Sequence, residues 1–333
     1  MRSSSGFLGG ALAAGVIAIL AGCSGGSVAP TALSATQSHF DPTGVAPGID
    51  VSAAVYGEQR SPHVVPAHVL AGLFIANLTT GEDIVLQNGT WMGLGTIQDG
   101  IGNQAGNWVD NKGNFFQTNY NAPNVVEFGF NQRHPKFTYT GFADPVAVTS
   151  DTQGNIFVGD YNFGSNGSVT QFKDGNNAPV QSCRVPGGVE GVAVDSNDDV
   201  FVAYNDLSAQ GNIARFTGGL AGCSASTLRI APGFAGGLVL DGHHNLIAAD
   251  QRNRVVDVIK PPYSHVNKSF HIPLFQPFRL ALNRKENWLF VCESPHQFVD
   301  VLAYPSGKLL MSLGSGHGIS GPQGVTDEPN AVF

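Results

Sequence analysis

Short runs of alternating apolar and polar residues recur along most of the chain. The clearest unit is Gly191–Phe216, GVAVDSNDDVFVAYNDLSAQGNIARF. It predicts an apolar strand at Val192–Val194, a polar turn at Asp195–Asp199, a second strand at Val200–Ala203 and, after a loop, a third at Asn212–Phe216. The unit returns as PVAVTSDTQGNIFVGDYNFGSNGSVTQF from Pro145 and as GLVLDGHHNLIAADQRNRVVDVI from Gly237. More worn copies begin at Asn107 and Arg279.

The Asn or Asp that precedes each second strand serves as a marker: Asn114, Asn155, Asp199, Asn245, Asn287 and Asn330. Their spacing stays in the low forties of residues, and several short strands per unit at that period predict a β-propeller blade. Helical repeats of similar length are excluded by the period-2 pattern and the Gly, Asn and Asp turns. The predicted fold class is all-β: a six-bladed β-propeller with four-stranded blades over residues 67–333. Five units are complete. The sixth, GVTDEPNAVF at Gly324–Phe333, supplies two strands, and Leu73–Leu78 with Asp83–Leu86 supply an outer hairpin, so the N- and C-terminal strands close the last blade jointly.

Composition agrees with that fold. Of 333 residues 42% are hydrophobic and only 13% charged, and Gly numbers 43. Gly supplies the positive φ that tight turns require. The formal net charge of −8 excludes a nucleic-acid partner, which needs a basic footprint.

Residues 1–22 have the form of a secretory signal: Arg2 as the positive region, an apolar run over Phe7–Ile19, then Leu20-Ala21-Gly22-Cys23. The last four residues resemble the bacterial lipobox. That resemblance implies cleavage before Cys23, lipidation of its thiol and attachment to a membrane through the lipid anchor. The alternatives are a plain secretion signal or an uncleaved anchor. Residues 23–66 hold the lipidated Cys and a flexible tether rich in Ser, Ala, Gly, Pro and Thr. The expected location is extracytoplasmic, lipid-anchored in a bacterial cell envelope, as a monomer.

Export permits disulfides. Cys183 falls on the outer strand of the second complete unit and Cys223 just before that of the third, so the two either pair or stand as buried thiols. Cys292 reads as a core residue.

The pattern GVAVD…GNIFVGD…SVTQF resembles NHL-repeat propellers and the virginiamycin B lyase-like and gluconolactonase-like six-bladed propellers. The resemblance spans about Val69 to Phe333. Enzymes of that group hold a divalent cation at the mouth of the central channel, which implies calcium or magnesium as the cofactor of an enzymatic reading. The positions just before the innermost strands then matter, and two of them carry carboxylates, Asp144 and Glu190, as the candidate metal pair. The full ligand ring of the lactonases and the lyase His/Glu pattern do not appear.

Asn119, Asp160, Asp250 and Glu293 recur where second strands end, and are expected to accept hydrogen bonds from the next loop. Trp91, Tyr161 and Tyr204 fall near strand ends, where propeller loops gather, and are the candidate ligand-binding aromatics. The leading functional expectation is a membrane-anchored lipoprotein whose propeller is a binding scaffold for a protein or glycan. The alternative is a divalent-metal-dependent lactonase-like hydrolase or lyase working at the central channel.

Overall fold

The computed structural model describes residues 72–327 except 121, 131, 133, 163–164, 273–275 and 295–296. The signal, Cys23, the tether and Asn330 lie outside the described residues. Within them, twenty-four strands form six four-stranded antiparallel sheets. Strands β1 (Gly72–Asn77), β2 (Glu82–Gln87) and β3 (Gly93–Ile97) open the chain. The first complete blade is β4 (Gln104–Val109), β5 (Phe115–Asn119), β6 (Asn124–Phe128) and β7 (Pro135–Thr140). The second is β8 (Pro145–Ser150), β9 (Asn155–Asp160), β10 (Ser168–Lys173) and β11 (Pro179–Arg184). The third is β12 (Gly188–Val194), β13 (Val200–Asn205), β14 (Gly211–Phe216) and β15 (Ala225–Thr227). The fourth is β16 (Ala235–Leu240), β17 (Leu246–Asp250), β18 (Val255–Ile259) and β19 (Lys268–His271). The fifth is β20 (Gln276–Leu282), β21 (Trp288–Ser294), β22 (Phe298–Ala303) and β23 (Lys308–Leu313), and β24 (Pro322–Asp327) follows.

The sixth blade has the order β24-β1-β2-β3, so the two ends of the described chain share one sheet as the sequence predicts. The partition differs from the expected one. A single C-terminal strand takes the inner place, and three strands come from the N-terminal side. β1 is the second strand rather than part of an outer hairpin, because every residue of GLFIAN is buried between β24 and β2.

The repeat is written in the turns. In the first blade Asp110 Oδ1 accepts the backbone N–H groups of Lys112 and Asn114, both at 2.8 Å, and Asp110 Oδ2 accepts Asn114 Nδ2 at 2.8 Å. Asp151 with Asn155 and Asp241 with Asn245 repeat this arrangement. An Asp that satisfies two backbone donors and the side chain four residues on closes the hairpin and sets its register. The marker residues of the sequence are therefore turn partners.

Hydrophobic clusters sit between neighbouring blades. Phe116, Val125 and Tyr139 of the first blade pack on Val148, Ile156, Val158 and Phe172 of the second. Phe74, Val85 and Ile97 of the sixth pack on Val109, Phe115, Val126 and Phe128 of the first. At ~1.5–3 kcal/mol for each large side chain fully buried, these faces hold adjacent blades together. Cys183 and Cys223 form a disulfide with Cα atoms 5.2 Å apart, which links the outer strand of the second blade to the segment before that of the third.

Candidate functional site

The innermost strands β4, β8, β12, β16, β20 and β24 neighbour one another around a ring. They come so close that side chains are excluded at set points. A Cβ on Gly106 would lie 2.5 Å from Val146 O, and one on Gly324 2.5 Å from Ala105 O. Inside the ring is a partly open axial cavity of about 90 Å³, whose lining includes Asn107, Glu190, Gly237, Arg279 and Gly324.

Two charged side chains meet in this otherwise uncharged lining. Arg279 of β20 and Glu190 of β12 are 6% and 7% exposed, and Arg279 Nη1 lies 3.4 Å from Glu190 Oε2. Arg279 Nη2 donates to Val146 O at 3.2 Å, so one guanidinium ties the second, third and fifth blades across the axis. Its Cζ stands 4.0 Å from the centroid of the Phe278 ring, which supports it from one face. Burial pushes the Glu190 carboxyl up to about 7, against the opposing pull of Arg279 and of a hydrogen bond from Asn205. Burial also lowers Arg279 from its usual value.

Two buried polar atoms of residues lining the cavity, Arg279 Nε and Asn107 Oδ1, have no hydrogen-bond partner among the described residues. Asn107 Nδ2 donates to Phe74 O at 3.4 Å.

Asp144 and Glu190 do not hold equivalent places. Asp144 precedes β8, whereas Glu190 lies inside β12 at a bulge between Val189 and Gly191. Measured back from the turn carboxylates Asp151 and Asp195, Glu190 corresponds to Val146, and Asp144 to Gly188. A slip of two residues preserves the alternation of faces, so alternation does not detect it, whereas the spacing to the turn carboxylate does. The partner that Glu190 does have, Arg279, went unrecognised in the sequence. Its one signal was a cation in the RLAL run of an inner strand, at a depth where other blades place small or apolar residues.

Since neighbouring strands run antiparallel, the connectors between blades and the loops after each second strand gather on one face. Asp144, Tyr120 and Tyr161 lie there, with Leu207 at 79% and Phe298 at 38% exposure. The Tyr161 ring lies against Gly188, where a Cβ would be 2.5 Å away. Its hydroxyl is pushed up to about 12 by burial and by the negative charge of Glu190 and, more weakly, Tyr120 and Asp144.

Trp91 and Tyr204 need correction: at 6% and 3% exposure they are core residues with no face for a ligand. Trp91 packs on Trp288 and Phe290, and Tyr204 lies in the cluster between the second and third blades. Large flat rings at strand ends fill the wedge between diverging blades.

Of the polar residues at second-strand ends, Asp250 accepts the backbone N–H of Asn253 in the following loop as expected, at 3.0 Å, and several of the set also tie down the preceding connector. Asp160 accepts the N–H groups of Ala143 and Asp144, Asp250 that of Gly233, and Asn119 that of Gly102. At Glu293, burial together with the neighbouring Asp300 carboxyl pushes the value up to about 9.

On the opposite face the turn residues Asp241, His243 and Glu286 come within metal-ligand reach of one another. Asp241 is already engaged by the N–H groups of His243 and Asn245, by Asn245 Nδ2 and by the Tyr304 hydroxyl.

The architecture decides the comparison with known proteins. The chain has the fold of the six-bladed propellers. No protein-family model matches the sequence, and no curated protein is similar to it. Among solved structures, a chain of the nidogen/laminin complex is 14% identical with a TM-score of 0.64, over 78% of this chain and 98% of that one. Hydrazine synthase of Kuenenia stuttgartiensis is 12% identical with a TM-score of 0.59, over 78% and 87%. A protein of unknown function from Bacteroides caccae is 8% identical with a TM-score of 0.60, over 78% and 98%. At such identities the likeness is one of fold.

Proposed function

We propose that this propeller is a binding scaffold for a protein or glycan partner, carried by an exported lipoprotein anchored through Cys23 in a bacterial envelope. The observation that carries the reading is Arg279. A fixed positive charge in contact with Glu190 opposes a divalent cation there, and the carboxylate that would serve as ligand is already paired. This argues against the alternative, a metal-dependent lactonase-like hydrolase or lyase using Asp144 and Glu190 with calcium or magnesium.

The disulfide supports export, since such bonds persist in oxidising compartments. The fold supports docking, because a chain of the same fold occurs in the nidogen/laminin complex. The loop face with Tyr161, Leu207 and Phe298 is the surface offered to the partner.

Calorimetric titration with calcium and with magnesium tests the choice. No binding is expected; saturable heat that disappears in Glu190→Gln would put the enzyme reading first. Mass spectrometry of the mature protein should find an acylated Cys23 at its N-terminus, and Cys23→Ala should release the protein from membranes. An unmodified Cys23 in membrane-bound protein removes the anchor from the proposal.

A further inference from the structure

We propose that Asn88 is a self-modifying residue: its side-chain amide is lost as ammonia through ring closure onto the backbone nitrogen of Gly89, with Asp327 as the general acid. The site lies where the two ends of the described chain meet, and it stands whether or not the loop face docks a partner.

The chain contains two Asn-Gly steps, Asn88-Gly89 and Asn166-Gly167. A glycine after asparagine has no Cβ to crowd the approach of its nitrogen to the side-chain carbon. Tertiary structure separates the two steps. Asn166 is exposed, yet the Gly167 N–H donates to Gly187 O at 2.7 Å, and a Cβ on Gly167 would lie 2.6 Å from Asp160 O. That nitrogen is committed. Asn88 and Gly89 lie in the turn between β2 and β3, where Gly89 is exposed and its N–H donates to no acceptor among the described residues.

The leaving group is held as well. Asn88 Nδ2 donates to Asp327 Oδ1, so a carboxyl stands at the atom that must depart. Asp327 ends the innermost strand of its blade, as Asp110, Asp151 and Asp241 follow theirs, but its described partners come from elsewhere: Asn88 and, at 3.3 Å, the N–H of Arg284 in the turn of the fifth blade. Burial pushes the Asp327 carboxyl up to about 7, so near neutral pH both its protonated and its ionised forms are present, as a general acid working there requires. Asn88 Oδ1 is buried without a donor, which leaves the amide short of a hydrogen bond that would stabilise it.

The step balances with water as the only co-reactant. Gly89 N bonds to Asn88 Cγ and gives up its proton. The Cγ–Nδ2 bond breaks, Nδ2 takes a proton from Asp327 and leaves as ammonia, and the Gly89 proton restores the acid. Water then opens the five-membered ring at either carbonyl, giving aspartate or isoaspartate at position 88. The aspartate product sets a second carboxylate against Asp327, and two carboxylates sharing one partly buried site repel. The reaction therefore weakens the tie between β24 and the end of β2.

The test follows both Asn-Gly steps in the full-length, detergent-solubilised protein, incubated at neutral pH in heavy-oxygen water that marks each converted residue for peptide mass spectrometry. Folding should raise the rate at Asn88 relative to Asn166 at least threefold over the ratio found in urea. Asp327→Asn should return that ratio to its unfolded value, and Asn88→Asp should lower the melting temperature where Asn166→Asp does not. The wild-type ratio decides the matter even if Asp327→Asn folds poorly. The proposal is overturned if folding leaves the ratio unchanged or lowers it, or if a folded Asp327→Asn protein converts Asn88 as fast as the wild type. An Asn88→Asp protein as stable as the wild type overturns the weakening of the closure.

Discussion

Replacing Arg279 by Met tests the central pair most sharply. Met keeps much of the aliphatic stem over Phe278 but removes the charge and both hydrogen bonds, to Glu190 and to Val146 O. Because Glu190 is 7% exposed, the variant strands a buried carboxylate. Breaking a desolvated pair from one side costs about 3–5 kcal/mol, whereas an exposed pair is worth ~0–1 kcal/mol. The loss should be read at pH 8, above the Glu190 value of about 7, where the carboxyl is ionised in the wild type. The Arg279→Met/Glu190→Gln double variant removes both charges and should recover most of the loss. Urea unfolding followed by tryptophan fluorescence gives both quantities, provided the dependence on denaturant stays equal between variants. If Arg279→Met costs less than about 1 kcal/mol, or if the double variant is as unstable as the single, the axial pair is hydrated and the argument against a cation at Glu190 collapses.

Three further outcomes follow from the same geometry. Cys183→Ser/Cys223→Ser removes a cross-link spanning 40 residues, which chain entropy values at about 4 kcal/mol as an upper figure; calorimetry should show a clearly lower melting temperature, and an unchanged one would mean that the bond contributes no stability. Gly106→Ala forces a Cβ to 2.5 Å from Val146 O and should destabilise by ~1–3 kcal/mol, while Gly93→Ala, with nothing within 4 Å, should stay within about 0.5 kcal/mol; equal effects would show that the inner ring is not tight. Glu190 has a folded-state value of about 7 against 4.5 unfolded, so the folded state holds its proton more tightly and stability should fall as pH rises from about 4.5 through 7, by on the order of 3 kcal/mol; Glu190→Gln should remove that slope, and a slope that persists unchanged assigns the effect to other groups.

Much of the fold was legible in the chain itself. Alternation fixes strands, the Asp-to-Asn turns fix their spacing, and a period in the forties fixes blades, because each of these is a local relation between residues a few positions apart. The closure of the ring by its two ends was legible too, from one incomplete unit. Local pattern could not decide how many strands each end contributes. That depends on which strand pairs with the free edge of GLFIAN, and β24 does so through residues more than two hundred positions away.

The candidate site lay further beyond reach. Trp91 and Tyr204 look alike in sequence whether they face solvent or the wedge between blades, and only packing shows them to be core. Asp144 and Glu190 look equivalent beside their apolar runs, but β8 and β12 carry the same bulge, at Val146 and at Glu190, and this leaves Asp144 two residues outside the matching place. Arg279 gains its meaning from closure of the sheets into a ring, which brings β20 across the axis to β12 and β8. Sequence determined the repeating unit, since hairpins are short-range. Tertiary structure decided what stands at the centre, since the axis is the one place where all six blades converge.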